Sequence, residues 1–276
     1  MKLAGIIGHP VAQSLSPVFQ SAAFEYSGLA ARYEAWDTPP EALPGRVASL
    51  RAPEYLGANV TIPHKEAVIP LLDELGGQSA RVGAVNTIVN RDGRLFGFNT
   101  DGPGFVAALR NEAGFDPAGK AILLLGAGGA ARGIAFALAE ARAHRIAIWN
   151  RTSARAERLA VDVAREGGNC TVAADPSPRG YDCVVNCTSV GMVGTGTEAQ
   201  SPCDFASADP GTLAVDIVYK PEETAFLRAA KQAGLPVLGG LPMLIYQGAL
   251  AFELWTGVTA PVDVMFEAAR RALGNS

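Results

Sequence analysis

The amino-acid sequence predicts an α/β protein of two domains, the first built on a mostly parallel sheet that one antiparallel pair interrupts. Short apolar runs of strand length alternate with longer helical patterns, an order typical of parallel sheets covered by helices on both faces. The 276 residues are enough for two domains of ordinary size. Apolar residues make up 49% of the chain and charged residues 18%, a composition that allows sizeable cores and argues against long disordered segments.

The first predicted domain combines parallel strands with one hairpin. Ser16 is of a residue type that caps helices and Pro17 suits a first turn, so a helix is expected to begin there. Asp92-Gly93 is a strong hairpin-turn signal, which predicts that the strands on either side of it pair antiparallel. The predicted order is strand 3–7, helix 17–26, strand 33–35, helix 41–50, strand 57–61, helix 65–72, and hairpin strands 85–90 and 94–98.

The second predicted domain alternates strand and helix more regularly. Its predicted order is helix 103–112, strand 121–125, helix 130–141, strand 145–149, helix 153–166, and strands 183–186, 213–218 and 237–238. Two further helices, 242–255 and 262–273, follow without partner strands. Because no further strands follow for them to cover, these two helices are expected to return to the first domain and add to its helical cover. The predicted domains are therefore residues 1–102 with 240–276, and residues 103–239.

Charge and hydropathy narrow the range of partners. The formal net charge is −4 and the sequence pI is near 5.5, which argues against a general affinity for nucleic acid or anionic membranes. The N-terminal apolar run is too short for a signal peptide, and no stretch reaches the roughly 18 apolar residues of a membrane span. We therefore expect a small-molecule partner, with no nucleic acid and no membrane.

The four cysteines, Cys170, Cys183, Cys187 and Cys203, lack the spacing of a zinc site or a disulfide framework. No CxxC pair is present, and the chain has three histidines. Cys183 and Cys187 stand in a strand-like run, where small buried residues are expected. We therefore expect no bound metal, and the reduced cysteines fit a cytoplasmic location.

A glycine-rich loop follows the predicted strand 121–125. After Leu125 the sequence reads GAGGAAR, which places G-x-G-x-x-A between an apolar strand and a helix. In that context Gly126 makes the tight turn, Gly128 lets the backbone approach a pyrophosphate, and Ala131 allows close packing of helix on strand. The N–H groups at the helix start can then bind phosphate. The loop predicts a Rossmann-type dinucleotide domain; the alternative is a glycine turn that binds no ligand.

The end of the predicted strand 145–149 favours NADP over NAD. An NAD site usually carries an acidic residue here, which binds the ribose 2′-hydroxyl. The sequence has Asn150, Arg151 and Thr152 instead, with Arg155 one turn further. Arg151 offers a 2′-phosphate a planar fork of donors, and no carboxylate repels it. The alternative is a solvent-exposed arginine at a helix start.

Four polar segments of the first domain follow predicted strands or begin helices, where open α/β sheets bind their ligands. Together they supply hydroxyls, amides, one amine and one carboxylate, which suit a polyhydroxylated carboxylic acid. The segments are SLSP from Ser14, NVTIPHK from Asn59 to Lys65, AVNT around Asn86 and NTDG around Asp101.

With these segments the chain resembles the shikimate dehydrogenase family, which includes quinate-using members, over essentially its whole length. So many motifs in one order are far more specific than any one of them. They are SLSP at Ser14, GANVTIPHK ending at Lys65, GAVNT around Asn86, NTDG around Asp101, GAGGAAR from Gly126, NRT at Asn150, NCTSVGM from Asn186, DIVYKPEET from Asp216, and the helix of Gln247.

The resemblance implies an oxidoreductase that reversibly reduces 3-dehydroshikimate to shikimate with NADPH, in chorismate and aromatic amino-acid biosynthesis. It implies an N-terminal substrate-binding domain and a Rossmann-type NADP-binding domain. Separately, we expect a monomer or a homodimer. Lys65 and Asp101 match the family's catalytic pair. The implied substrate-binding residues are Ser14, Ser16, Asn59, Thr61, Lys65, Asn86, Asp101, Tyr219 and Gln247. The implied cofactor-binding residues are Gly126, Ala127, Gly128, Gly129, Ala130, Asn150, Arg151, Thr152, Arg155, Thr188 and Met243.

Two positions depart from the common pattern of the family. His64 stands where many members carry an aromatic or apolar residue, and Pro242 where glycine is common. Neither change removes a functional group. His64 either adds a titratable group beside the site or lies on the outer side of its loop. These departures leave open how strictly the site selects shikimate over quinate.

The implied catalytic pair suggests a division of roles. A lysine is protonated at neutral pH, and a nearby carboxylate reinforces its charge. The hypothesis is that Lys65 polarises the substrate carbonyl and passes a proton, while Asp101 orients both; the alternative is a surface ion pair. A functionally divergent relative of shikimate dehydrogenase stays open as an alternative, because fold alone does not fix function, and so do three other readings. They are a quinate/shikimate dehydrogenase that tolerates NAD, a non-catalytic dinucleotide sensor, and a folate-linked dehydrogenase.

Overall fold

The structure, a computed structural model, describes residues 1–274. The strands are β1 (Lys2–Gly8), β2 (Ala31–Asp37), β3 (Gly57–Val60), β4 (Glu74–Leu75), β5 (Thr87–Arg91), β6 (Arg94–Phe98), β7 (Ala121–Leu125), β8 (Arg145–Trp149), β9 (Cys170–Val172), β10 (Cys183–Asn186), β11 (Leu213–Asp216) and β12 (Val237–Leu238). The helices are α1 (Ser16–Tyr26), α2 (Leu43–Ser49), α3 (Ser79–Val82), α4 (Asp101–Ala113), α5 (Gly129–Glu140), α6 (Ser153–Arg165), α7 (Ala225–Gln232), α8 (Leu241–Thr256) and α9 (Val262–Gly274). Short 3-10 turns cover Pro40–Ala42 and Ile69–Leu71.

The chain divides into two compact units. One is formed by residues 1–100 together with the chain from residue 245 onward, and the other by residues 101–244. Within residues 1–274, no helix is both long enough and apolar enough to cross a membrane.

The sheet of the first unit is mixed, with strand order β2-β1-β3-β5-β6-β4. Strand β1 pairs parallel with β2 and β3, and β4 pairs parallel with β6, whereas β5 pairs antiparallel with β3 and β6. Asp92 and Gly93 connect β5 to β6 with positive φ angles of 51° and 85°, as a type I′ hairpin turn requires. The predicted hairpin is confirmed.

The core of the first unit lies between its sheet and the surrounding helices. Ile7, Val60 and Ile88 are buried in one apolar cluster with side chains of α2. Helix α1 packs against α9, and its Phe24 ring lies 5.3 Å from the ring of Phe252 on α8. The indole Nε1 of Trp255 donates to the carbonyl oxygen of Ile88 at 2.8 Å. These contacts fix α8, and with it Gln247, against the sheet.

The sheet of the second unit is entirely parallel, with strand order β12-β11-β10-β7-β8-β9. This is the doubly wound Rossmann order, in which the direction of winding reverses between the first strand, β7, and the fourth, β10. Loops that leave β7 and β10 therefore meet at the carboxyl edge of the sheet, where such folds bind ligands. The predicted fold class is confirmed.

Several local predictions are wrong. The helix expected over 65–72 is only the 3-10 turn Ile69–Leu71, because Pro70 has no N–H to donate and disfavours a helical conformation in the residue before it. Ser16 does not cap α1: the helix begins at Ser16 itself and its N-cap, Leu15, makes no side-chain hydrogen bond. The short elements β4, α3, β9 and α7 were not expected from the sequence.

Candidate active site

The polar residues of the first unit gather around the side chain of Asn86, which is 2% exposed. Its Oδ1 accepts from the backbone N–H of Thr100 at 2.7 Å and from the hydroxyl of Thr87 at 3.1 Å. Its Nδ2 donates to the hydroxyl of Thr100 at 2.9 Å and to Oε1 of Gln247 at 3.3 Å. The structure thus brings Asn86 and Gln247, 161 positions apart, into one buried network.

Asn59 joins this network from β3. Its Nδ2 donates to the carbonyl oxygen of Asn86 at 3.3 Å and to the hydroxyl of Thr87 at 3.2 Å. Its Oδ1 accepts a 2.6 Å hydrogen bond from the hydroxyl of Tyr33 on β2. Burial raises the pKa of Tyr33 well above its ordinary value, opposed by a hydrogen bond with the side chain of Ser16. Tyr33 therefore links the Ser16 segment to Asn59.

The loop after β1 carries Ser14 and Ser16. Ser14 is half-buried, and its hydroxyl accepts from the backbone N–H of Ser16 at 3.2 Å, while Ser16 is buried at the first position of α1. Gln20, one turn further on α1, donates from Nε2 to the carbonyl oxygen of Gly248 at 2.8 Å. The serine segment is thereby held near the helix that carries Gln247.

The loop after β3 carries Thr61, His64 and Lys65. Thr61 and Lys65 are half-buried, whereas His64 is only 1% exposed. The Nε2 of His64 lies 2.7 Å from the carbonyl oxygen of Thr38, so the side chain is buried against the segment after β2, and a titratable role beside the site stays a prediction. The carbonyl oxygen of Lys65 accepts from the backbone N–H of Val85 at 2.8 Å. The hydrogen bond between His64 and Thr38 and the hydrogen bond from Val85 to Lys65 therefore both hold the backbone at Lys65.

In the second unit, the turn after β7 has the geometry expected of a phosphate-binding loop. Gly126 has φ of 114°, a left-handed conformation that side chains rarely adopt. A Cβ atom on Gly126 would also lie 3.0 Å from Cγ2 of Thr188 and 3.1 Å from the backbone of Cys187, after β10. Gly128 is exposed, has open space where a Cβ would be, and precedes the first residue of α5. Ala127, Gly129 and Ala130 are half-buried around it.

The residues after β8 lie at the solvent-exposed end of the same sheet. Arg151, Thr152 and Arg155 are exposed and Asn150 is half-buried. The Nδ2 of Asn150 donates to the carbonyl oxygen of Thr152 at 2.9 Å, and the backbone N–H of Arg155 donates to the same oxygen at 3.0 Å. Among residues 1–274, neither arginine forms an ion pair or a side-chain hydrogen bond with the protein, so both guanidinium groups can bind an anion.

Three further predicted residues belong to the second unit. Asp101 is 5% exposed and begins α4, and Met243 is 9% exposed on α8. Tyr219 is half-buried after β11, and burial raises the pKa of its hydroxyl. Lys65 belongs to the first unit and Asp101 to the second, and their catalytic pairing stays a prediction. Over the described part of the chain, no group of three or more His, Cys, Asp or Glu side chains could hold a metal ion.

Family models match most of the chain in three consecutive segments. Residues 6–88 match the shikimate dehydrogenase substrate binding domain, residues 109–217 match shikimate / quinate 5-dehydrogenase, and residues 240–270 match the shikimate 5'-dehydrogenase C-terminal domain. A relative named shikimate dehydrogenase (NADP(+)), from Moorella thermoacetica, is 48% identical over 281 residues, which cover 99% of this chain and 94% of the relative. The chain belongs to the shikimate dehydrogenase family.

Solved structures of this family have the same fold. The shikimate 5-dehydrogenase of Thermus thermophilus, in complex with NADP(H) and shikimate, is 47% identical with a TM-score of 0.90, covering 99% of this chain and 100% of that one. The quinate dehydrogenase of Corynebacterium glutamicum, in complex with NAD, is 30% identical with a TM-score of 0.88, covering 98% and 99%. The resemblance to shikimate dehydrogenases seen in the sequence is confirmed.

The sequence motifs did not identify several residues of the hydrogen-bond network around Asn86. Thr87 and Thr100 stand inside the AVNT and NTDG segments, so their position next to Asn86 and Asp101 was the available signal. Tyr33 gave no such signal, because a tyrosine in a short strand is usual in a core. In the second unit, the sequence does carry a signal at Asp216, because a carboxylate that ends the apolar run LAVD is unusual in a buried strand.

Proposed function

We propose that this protein is an NADP-dependent shikimate dehydrogenase, which reversibly reduces 3-dehydroshikimate to shikimate. The observation that carries the proposal is the buried network of Asn59, Asn86 and Gln247, in a chain that matches shikimate dehydrogenases over nearly its full length. Such amide and hydroxyl groups at strand ends suit a small ring with several hydroxyls. A folate-linked dehydrogenase would need room for a flat pterin instead.

The second unit supports NADP as the cofactor. Gly126 holds the turn in a left-handed conformation and the N-terminus of α5 supplies backbone N–H groups for phosphate. No carboxylate stands at the end of β8, where an NAD site usually has one. Arg151 and Arg155 extend from that end with free donors for a 2′-phosphate. The residues present thus fit NADP.

The proposed mechanism assigns proton handling to two residues. When bound, NADP supplies the hydride chemistry at the nicotinamide. Lys65 donates a hydrogen bond from its ammonium group to the reacting oxygen of the substrate, stabilises the negative charge that develops there and passes a proton to that oxygen. Asp101 accepts from the lysine or from a substrate hydroxyl and sets their orientation. Asn86 and Gln247 hold the ring hydroxyls.

The test is a spectrophotometric assay of NADP reduction with Lys65→Ala. We expect kcat to fall about 10²- to 10⁴-fold, because a positioned proton donor is lost. Lys120→Ala is the matched control, since the side chain of Lys120 is 45% exposed and its 3.6 Å pair with Asp182 contributes little. A near-normal kcat with only a raised KM for shikimate would reduce Lys65 to a binding residue.

The same assay distinguishes the second candidate, a quinate/shikimate dehydrogenase that accepts NAD. The similarity to a quinate dehydrogenase solved with NAD is what favours it. Each cofactor is assayed with each acid, shikimate and quinate. A preference for NADP and shikimate agrees with Arg151 as the 2′-phosphate ligand. Comparable rates with NAD would favour the second candidate.

We also infer a small-molecule function in the cytoplasm, without nucleic acid as a partner. The net charge of −4 supports the absence of a general affinity for nucleic acid. The four buried free cysteines suit a reducing compartment.

A further inference from the structure

Asp216 is a buried carboxylate with no basic partner. It ends β11 and is 0% exposed. Over residues 1–274, no lysine or arginine forms an ion pair or hydrogen bond with it. Burial raises its pKa from the ordinary 3.8 to about 6, opposed by hydrogen bonds from Thr224, Val218 and Asn186. A buried carboxylate without a counter-ion is costly, so its position calls for a role other than stability.

One side of the carboxylate holds the turn beside the glycine loop. Its Oδ1 accepts from Nδ2 of Asn186 at 3.0 Å. The Oδ1 of Asn186 in turn accepts from the backbone N–H of Thr188 at 3.0 Å and from its hydroxyl at 2.6 Å. Thr188 places its methyl group against Gly126. Asp216 therefore fixes, through one amide, the residue that packs on the glycine turn.

The other contacts hold the chain that leaves β11. The Oδ1 of Asp216 also accepts from the backbone N–H of Val218 at 2.9 Å, which fixes the residue before Tyr219. Its Oδ2 accepts from the hydroxyl of Thr224 at 2.6 Å. The same hydroxyl accepts from the backbone N–H of Leu227 and so caps α7. One carboxylate thus fixes both ends of segment 217–224.

We propose that Asp216 is a positioning residue, which holds Thr188 and Tyr219 in place together for NADP and shikimate without touching either ligand. The inference rests on the proposed function, in which these two residues bind cofactor and substrate. The ionised form is the one that accepts all three hydrogen bonds. A neutral acid carries a proton on one oxygen, which then competes with the donors around it.

Asp216 is the group in this cluster that changes charge near neutral pH. The Cys187 thiol faces it from the end of β10, and burial raises the pKa of that thiol, so it stays neutral. On the side of α7, Lys231 pairs with Glu223 at 3.1 Å and Arg228 donates to the carbonyl oxygen of Glu223 at 2.8 Å. Lys231 and Arg228 therefore have Glu223 as their partner and do not pair with Asp216.

The central variant is Asp216→Asn. Its amide oxygen can still accept from Asn186 and Val218, but its nitrogen cannot accept from Thr224. We expect the Kd for NADPH, measured by nucleotide fluorescence, to rise about tenfold and kcat with shikimate to fall, since one charge-assisted hydrogen bond is lost. At neutral pH the melting temperature should hold or rise, because the variant buries no charge.

The pH profile separates positioning from a purely structural role. A carboxyl whose folded-state pKa is raised stabilises the fold in its protonated form, and that stability is lost as pH rises through about 6. Binding geometry has the opposite requirement and should weaken in wild type as pH falls through the same range. Because the 2′-phosphate of NADP also titrates near pH 6, the informative quantity is the ratio of variant to wild-type Kd, which should approach one at low pH.

Two further sets of variants keep the test decisive. Thr224→Val removes the hydroxyl that donates to Asp216 and should weaken NADPH binding. Thr224→Ser keeps that hydroxyl and should bind NADPH as wild type does. Glu223→Gln is the matched control, since it removes an exposed carboxylate of the same segment. If Asp216→Asn does not fold, the comparison of Thr224→Val with Thr224→Ser tests the proposal.

The proposal is overturned if Asp216→Asn and Thr224→Val bind NADPH as wild type does, or if the Kd ratio is constant with pH. It is also overturned if Kd rises only in step with a lower melting temperature. Failure of the proposed function is a separate result: wild type would then bind NADPH but would not reduce NADP with shikimate as the hydride donor, and the binding measurements would still test Asp216.

Discussion

His64 holds the loop that carries Lys65 through one buried hydrogen bond. Its Nε2 lies 2.7 Å from the carbonyl oxygen of Thr38, so this nitrogen carries the proton. The backbone N–H of Thr38 donates to the carbonyl oxygen of Gly8, which ties this segment to the end of β1. The side chain of His64 therefore connects the loop after β3 to the segment after β2.

We expect His64→Phe to destabilise the protein by about 1–3 kcal/mol, because the buried carbonyl of Thr38 loses its donor. It should also lower kcat with shikimate, since the backbone of Lys65 gains freedom. His64→Gln keeps a donor and should recover much of both. Thermal melting and steady-state kinetics measure the two effects, with His144→Gln at an exposed position as control. Wild-type kcat and stability in His64→Phe would contradict this role.

At this scale the sequence reveals residue types but not their partners. Asn59, Asn86 and Gln247 could be predicted because each stands in a recognisable polar motif. The bonds that join them could not, since Gln247 reaches Asn86 across 161 positions. Tyr33 could not be predicted for a related reason, since only the folded sheet shows that its hydroxyl donates to Asn59.

Helices α4 and α5 approach each other closely at two glycines. A Cβ atom on Gly102 would overlap the carbonyl oxygen of Gly133 and lie 2.7 Å from Cβ of Ala137. Because the clash involves backbone, a side chain on Gly102 could be accommodated only if one helix moved. The absence of a side chain at Gly102 therefore sets the distance between the two helices.

Gly102→Ala should destabilise the protein by about 1–3 kcal/mol, despite the higher helix propensity of alanine. Gly45→Ala is the matched control: Gly45 lies in α2 with open space where an added Cβ would stand, so the same change should stabilise by about 0.5–1 kcal/mol. Urea unfolding of both variants measures the difference in sign. Equal stabilisation by both changes would show that α4 and α5 can separate without cost.

Strand predictions succeeded where an apolar run had clear ends, the two-residue β12 included, whereas the eight-residue helix α7 was missed. Strands β7, β8 and β10 were predicted to the residue because each is a buried apolar run bounded by polar residues. Strands β4 (EL) and β9 (CTV) were missed because each is short and contains a polar residue, so neither is a continuous apolar run. Segment 65–72 has a helical composition, but Pro70 decides against a helix.

The four cysteines all lie in the second unit, and the rate at which their thiols are labelled measures how often that unit unfolds locally. Each is at most 9% exposed, and burial raises the pKa of Cys170 and of Cys203 to about 12. Thiol reagents attack the thiolate, so the folded unit should react very slowly. Cys187 is the most informative, since its backbone N–H donates to the carbonyl oxygen of Leu125 beside the glycine turn.

We expect NADP to slow the labelling of Cys187 about 100-fold when present at about 100 times its Kd, which corresponds to about 2.7 kcal/mol of stabilisation. The reason is that any opening that exposes Cys187 also separates the strand ends on which the cofactor is proposed to bind. Mass spectrometry resolves the four thiols after timed exposure to iodoacetamide. NAD at the same concentration is the control and should protect less, because it lacks the phosphate that Arg151 and Arg155 are proposed to hold. Equal labelling of Cys187 with and without NADP, under conditions where nucleotide fluorescence shows binding, would place the cofactor away from the end of β10.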